Sequence, residues 1–377
     1  MKQSQSRQEE YMNKSKKREI TLLQYILGIN TAQVGTNILR LPADLAGVAS
    51  TDGWIAIIGG WIITLIASLC MVGVMAKHPG ATIYDVLTRY LGKWVGRTWI
   101  LVWMASALFI AVVICYRVVI LIKVFILSNT PHFLLALIFL IPVCMVLWGG
   151  IRILARYSQF IFFFTLGLPI LLLIPLKDAE WIYMLPVLKE GWLPILHAVP
   201  LTIVSFVGFE IAWILYPYLK NKQAAAKGII IANSITLLVY LQITLSCFLY
   251  FSPDELPEFL WPTLALVKPI QFPFLERFEI IFVSFYMFTL SAVILPFLFI
   301  VTKNINYFFN KRNWQLPPYI LPLLLLVSFL IYIPTYSQLQ VVNKFWSQIA
   351  YIVSYTFPIL FYLYVTLSAR WKNRKTI

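Results

Sequence analysis

Apolar runs recur from Ile20 to about residue 369, separated by short polar or basic connections, and within each run the apolar positions fill every face. A strand would alternate polar and apolar side chains, and a soluble amphipathic helix would confine them to one stripe; neither pattern is present. A helix of about 20 apolar residues crosses a hydrocarbon core of about 30 Å. The runs therefore predict an all-α integral membrane protein with ten transmembrane helices near residues 20–48, 54–76, 99–128, 131–148, 153–176, 194–219, 228–251, 273–302, 317–335 and 345–369. Two stretches are too short or too amphipathic to cross. "LPEFLWPTLALVKPI" predicts an interfacial or re-entrant helix on the outer face, and "YDVLTRYLGKWVG" an inner amphipathic one with Lys93 and Trp94 at headgroup level.

Lys and Arg test the count, because they gather on alternate loops when no span has been missed. One side collects the N-terminal cluster (Lys14, Lys16, Lys17, Arg18), then Lys77, Arg89, Lys93 and Arg97, then Arg152 and Arg156, Lys220, Lys222 and Lys227, Lys303, Lys311 and Arg312, and Arg370, Lys372, Arg374 and Lys375. The opposite loops hold few bases and most of the loop acids, from Asp44 and Asp52 to Asp254, Glu255 and Glu258. Both termini are expected in the cytoplasm. The expected organisation is a basic tail over 1–19, one transmembrane domain over 20–370 and a second basic tail over 371–377. The first span, with no small-residue cleavage site close behind it, reads as a retained signal anchor.

Ten spans divide into two halves of five, about 20–176 and 194–370, and an odd number of helices per half gives an inverted repeat. Corresponding first helices of the two halves carry matched interruptions: "AQVGTN" around Gly35 and "SFVGFE" around Gly208. Helices 1 and 6 are therefore expected to be discontinuous at mid-membrane, which points to a ligand site between them. The bland alternative is close helix packing at the two glycines. Freed amides near Gly35, with Thr31, Gln33, Thr36 and Asn37, suit a carboxylate, while carbonyls freed over Phe206, Val207 and Gly208 suit an ammonium. Together they describe an α-amino acid. Glu210, the acid in span six, has three open roles: holding the amine, taking a proton, or pinning the broken helix. Phe109 and Val113 from span three and Tyr286, Thr289 and Ala292 from span eight are the expected walls. Arg117, Glu276, Arg277 and Glu279 are the other charges near the membrane, with Glu276 and Arg277 reading as a structural ion pair at the outer interface.

Composition, 60% hydrophobic and 12% charged, agrees with the membrane reading. The net charge of +15 is no sign of nucleic-acid binding, because the bases lie in loops rather than on a folded basic face. Four cysteines within apolar runs and three scattered histidines (His78, His132, His197) give no metal-ligand spacing. No metal, no cofactor and no enzymatic activity are expected.

The stretches "VGTNILRLPADLA" with "DGWIAIIGGW", "HPGATIYDVLTRYLGKWVG", "MLPVLKEGWLPI" followed by "SFVGFE", and "WPTLALVKPIQFPFLERFE" occur in order over most of the chain. They resemble the B subunits of bacterial spore germinant receptors, a branch of the amino acid, polyamine and organocation transporter superfamily. The resemblance implies a leucine-transporter-type fold and the inner membrane of the dormant spore. It also implies a small-molecule germinant, usually an amino acid, sensed together with an A subunit and a lipoprotein C subunit. Family ligand positions fall here on Gly35, on Val207 and Gly208, and on Thr289 to Ala292. Relatives often carry Gly-x-Gly at the first break, where this chain has Gly35-Thr36-Asn37, so a tighter loop and a different ligand are implied. A germinant sensor is the leading expectation, with a proton- or sodium-coupled amino acid transporter as the alternative and a subunit with a vestigial pocket as a third class.

Overall fold

The computed structural model describes residues 19–273, 277–309 and 317–374, with side chains through Ala369. Lys14, Lys16, Lys17, Arg18, Glu276, Lys311, Arg312 and Lys375 lie outside the described residues. In chain order the helices are α1 (Leu22–Gln33), α2 (Leu41–Ala49), α3 (Gly53–Ala76), α4 (Ile83–Phe125), α5 (His132–Trp148), α6 (Gly150–Thr165), α7 (Gly167–Leu171), α8 (Trp192–Ser205), α9 (Ala212–Leu215), α10 (Ala225–Tyr250), α11 (Pro262–Ala265), α12 (Phe278–Phe308), α13 (Ile320–Ile331), α14 (Tyr336–Ala350) and α15 (Phe357–Arg374). Among the described residues six helical stretches, with α2 and α3 counted together, are long and apolar enough to cross a membrane, and a seventh joins Trp192–Ser205 to Phe209–Tyr218 across a 44° bend. The chain is a multi-pass membrane protein.

Local chemistry sets several boundaries. α1, α4 and α14 each start with a capping box, in which Thr21, Thr82 or Thr335 accepts from the amide three residues on and Gln24, Asp85 or Gln338 reaches back. The amphipathic stretch is fused to the third expected span: α4 starts at Ile83 and turns at Gly92, whose φ of +77° lets the amphipathic segment meet the long apolar one. α13 is shorter than the expected 317–335. Pro334 disfavours helix at the preceding residue, and Tyr332 is already extended at φ −153°. The last span starts earlier than expected, at Tyr336, and passes through a π-helical stretch, Tyr351–Thr356, before α15.

α1 lies at the centre, packed against α6, α10 and α12, and every residue from Tyr25 to Gln33 is buried. α12 packs on α4 and α6 and is buried without interruption from Thr289 to Thr302. α3 and α10 flank the broken pair, α3 against α8 and α10 against α1. A helix enclosed on all sides has no polar stripe, which is why the apolar pattern of these spans shows no face preference.

Candidate functional site

The two interruptions meet. α1 ends in an inverse γ-turn, with Val34 at φ −78°, ψ 71° and the Gly35 amide donating to Gln33 O at 2.8 Å. Gly35 is extended at φ −98°, and a short 3₁₀ turn, Thr36–Leu39, leads to α2. On the other side α8 stops at Ser205, and Gly208 takes φ +126°, a conformation that side chains disfavour. A Cβ on Gly208 would come 2.4 Å from Ala32 O, so glycine is required there twice over, by its backbone angle and by the approach of α1.

Freed backbone groups at the breaks find protein partners, as an apolar surrounding demands. Gln33 crosses between the halves: its Nε2 donates to Phe206 O (2.9 Å) and to Asn233 Oδ1 (2.8 Å), and its Oε1 accepts from Thr236 Oγ1 (2.8 Å). Tyr240 O–H is shared between Gln33 O (3.0 Å) and Ser205 O (2.8 Å). Tyr355 O–H donates to Ile203 O (2.7 Å), and Tyr286 O–H donates to Gly35 O (2.8 Å). Glu210 is buried behind the second break, accepting from the Gly208 amide (2.9 Å) and from Ser354 Oγ (3.4 Å). Of the three roles left open by the sequence, these contacts are those of pinning. Thr263 Oγ1 on α11 donates to Ile38 O (2.8 Å), so the predicted short helix after the seventh span covers the far end of the first break.

A narrow cavity of about 60 Å³ lies between the breaks, bordered by Gln33, Gly35, Thr36, Asn37, Ser205 and Val207, and walled by Phe109, Ile110, Val113 and Ile114 of α4, Val293 and Phe297 of α12, and Trp346 of α14. Trp346 stacks on Phe109 with ring centres 6.1 Å apart and donates from Nε1 to Ser106 Oγ (3.3 Å). The cavity adjoins a vestibule of about 490 Å³ that contains Arg40, Asp44, Trp261, Tyr336 and Lys344. Thr36, Asn37, Arg117 and Asn343 border both spaces.

The residues read from sequence divide accordingly. Gln33, Gly35, Thr36, Asn37, Phe109, Val113 and Val207 border the cavity. Thr31, Tyr286 and Thr289 border a separate apolar cavity of about 70 Å³ on another side of α1, facing Phe162 and Thr165 of α6. Thr31 bonds back to Leu27 O (2.8 Å), and Thr289 Oγ1 is buried without a hydrogen-bond partner. Phe206, Gly208 and Glu210 are buried behind the cavity wall, and Ala292 is buried in α12. The Phe206 carbonyl, expected to face an ammonium, is occupied by Gln33. Arg117, Val293, Asn343 and Trp346 are cavity residues that sequence patterning did not select. Arg117 carried a signal, as a cation well inside a span; the other three carried none.

The sequence profile of the family described as "Spore germination protein" matches residues 19–339. The chain belongs to this family. Spore germination protein GerQB of Bacillus cereus is similar to it, with 24% identity over 350 residues that cover 91% of this chain and 92% of GerQB. Spore germination protein B2 of Bacillus subtilis (strain 168) is 27% identical over 271 residues, 70% of this chain and 72% of its own. Among solved structures, MhsT in complex with L-phenylalanine superposes with a TM-score of 0.60 at 13% identity, covering 92% of this chain and 88% of MhsT. Mhp1, a nucleobase-cation-symport-1 family transporter in a closed conformation with bromovinylhydantoin bound, superposes with a TM-score of 0.62 at 12% identity, covering 89% and 76%. At such identities the likeness is one of fold. It places this germination-family chain in the leucine-transporter-type architecture.

Proposed function

We propose that the chain is the nutrient-sensing B subunit of a spore germinant receptor, and that the cavity between the breaks binds the germinant, an amino acid. In this reading ten spans form two inverted halves of five, about 20–176 and 194–370, flanked by cytoplasmic basic tails, in the spore inner membrane. The observation that carries it is the meeting of two interrupted helices around a cavity that adjoins a wide vestibule. A germinant held there touches α1, α4, α8, α12 and α14 at once, so it favours whichever arrangement of the halves closes on it. A ligand shifts such an equilibrium only by its difference in affinity for the two states. Partner A and C subunits then read the shifted state.

The alternative reading is an amino acid transporter coupled to protons or sodium; the fold shared with MhsT and Mhp1 supports it. Spores whose only receptor contains this subunit separate sensing from an idle pocket. Gly35→Leu is expected to abolish the nutrient response while the protein stays in the membrane, because even a Cβ at this position reaches Val293 Cγ1 at 3.4 Å and the rest of a leucine must enter the cavity or displace α12. An unchanged response from Gly35→Leu spores defeats the site. Sustained gradient-driven uptake of an amino acid by the purified chain in liposomes defeats a purely sensory role.

A further inference from the structure

Among the described residues, one charged side chain borders the narrow cavity. Arg117 rises from α4 at the junction of cavity and vestibule and borders both. Its Nη1 donates to Thr36 Oγ1 (2.8 Å) and Asn37 Oδ1 (2.9 Å), tying α4 to the first break. That uses two of the five guanidinium N–H groups. Nε–H is buried with no hydrogen-bond partner, and Nη2 makes no hydrogen bond to a described residue. No carboxylate pairs with Arg117 among the described residues; Asp44, the acid on the vestibule wall, is held by Arg40 at 3.0 Å.

The unused groups are the two that matter for recognition. Nε–H and the neighbouring N–H of Nη2 point in parallel along one edge of the planar guanidinium, the geometry that matches both oxygens of a carboxylate. An enclosed cation with unpaired N–H groups is costly to keep, and an anion that reaches them removes that cost. Below Arg117 the surroundings turn apolar, with Ile110, Val113, Val293, Phe297 and Trp346. Above it, Lys344 and Arg40 line the approach. Among the described residues no carboxylate borders the cavity to pair with an amine: Phe206 O and Ser205 O are taken by Gln33 and Tyr240, and Glu210 is engaged behind the break.

We infer that Arg117 binds the germinant's carboxylate side-on through Nε and Nη2, so that the site takes a small monocarboxylate with a compact apolar body and the α-ammonium is dispensable. This rests on the cavity being the germinant site, and it moves acid recognition from the backbone at Gly35 to a side chain of α4.

The test is thermal unfolding of the purified full-length chain in lipid nanodiscs, titrated with L-valine, with its des-amino counterpart 3-methylbutanoate, and with the amides of both. Both acids are expected to raise the unfolding temperature saturably and neither amide to do so. Arg117→Gln is expected to weaken acid binding roughly 10- to 100-fold, the loss of a charge-assisted pair of hydrogen bonds, and Arg117→Lys to weaken it less. Acids and amides acting equally, absence of a saturable response to either acid, or undiminished acid binding by Arg117→Gln overturns the inference. Should Arg117→Gln not fold, the acid-against-amide comparison on the unaltered chain decides. Spores separate the two readings. Acid binding by the purified chain without any nutrient response in spores defeats the germinant reading and leaves the Arg117 site standing, whereas Arg117→Gln spores that respond as well as the parent defeat the Arg117 site alone.

Discussion

Gly208→Ala tests the contact on which the site is built. Alanine at φ +126° costs at least about 1–2 kcal/mol of backbone strain. Its Cβ would sit 2.4 Å from Ala32 O, where ordinary contact begins near 3.4 Å, so the end of α1 and the second break must separate by about 1 Å. The bonds that bridge this gap, Gln33 Nε2 to Phe206 O at 2.9 Å and Tyr240 O–H to Gln33 O and Ser205 O at 3.0 and 2.8 Å, cannot all survive such a shift. Each buried group left without a partner costs about 1–3 kcal/mol. The expected total is about 3–6 kcal/mol, measured by reversible detergent unfolding of the purified chain and accompanied by a fall in membrane abundance. Gly35→Ala is the control. Its Cβ meets Val293 at 3.4 Å with φ at −98°, so a change within about 1 kcal/mol is expected. If Gly208→Ala unfolds with the parent chain, the two breaks are not in contact and the cavity between them is not as described.

Two further substitutions address the polar groups of the breaks. Glu210→Gln keeps an oxygen for the Gly208 amide and is expected to cost less than about 1 kcal/mol, whereas Glu210→Ala leaves that amide unpaired and costs about 1–3 kcal/mol; unfolding measurements on both decide, and a well-folded Glu210→Gln chain that no longer responds to nutrient refutes a pinning role in favour of a proton or charge. Gln33→Leu removes three buried hydrogen bonds and strands Phe206 O and Asn233 Oδ1, while Thr236 keeps Ala232 O and Asn30 as partners, so a loss of about 2–4 kcal/mol is expected in the same assay, and a neutral result refutes the bridging role of Gln33.

Legibility in the chain follows a physical line. The long apolar helices were legible because each carries its own apolar signal, and both interruptions were legible because a glycine close to polar residues stands out inside an apolar run. Which face of a buried helix looks at the cavity was not legible. Thr31 and Gln33 are two residues apart on α1, yet Thr31 borders the apolar space beside α6 while Gln33 borders the cavity between the breaks. Thr289 stands on the Thr31 side for the same reason: a helix buried all round offers no polar stripe to fix its rotation. α13 is short because a proline acts on the residue before it, a local rule that hydropathy averaging blurs.

The polar residues around Gly35 look alike in sequence, and their hydrogen-bonding capacity tells them apart. Gln33 has two N–H donors and an oxygen; both donors and one lone pair of the oxygen are used inside the protein, across separations of about 170–200 residues that no local pattern encodes. A group so engaged holds the breaks together and has little left for a ligand. Thr36 and Asn37 accept from Arg117, and that contact leaves Nε–H on the opposite edge of the same guanidinium buried without a partner. Each helix interruption exposes backbone that must be satisfied at all times, bound or not, or the empty protein would bear the cost in the membrane. Protein side chains therefore take the carbonyls of Gln33, Gly35, Ser205 and Phe206 at the breaks, and recognition passes to a side chain whose unpaired N–H groups can be borne: a cation at the rim of a vestibule, close enough to solvent to persist alone and enclosed enough to favour an anion when one arrives.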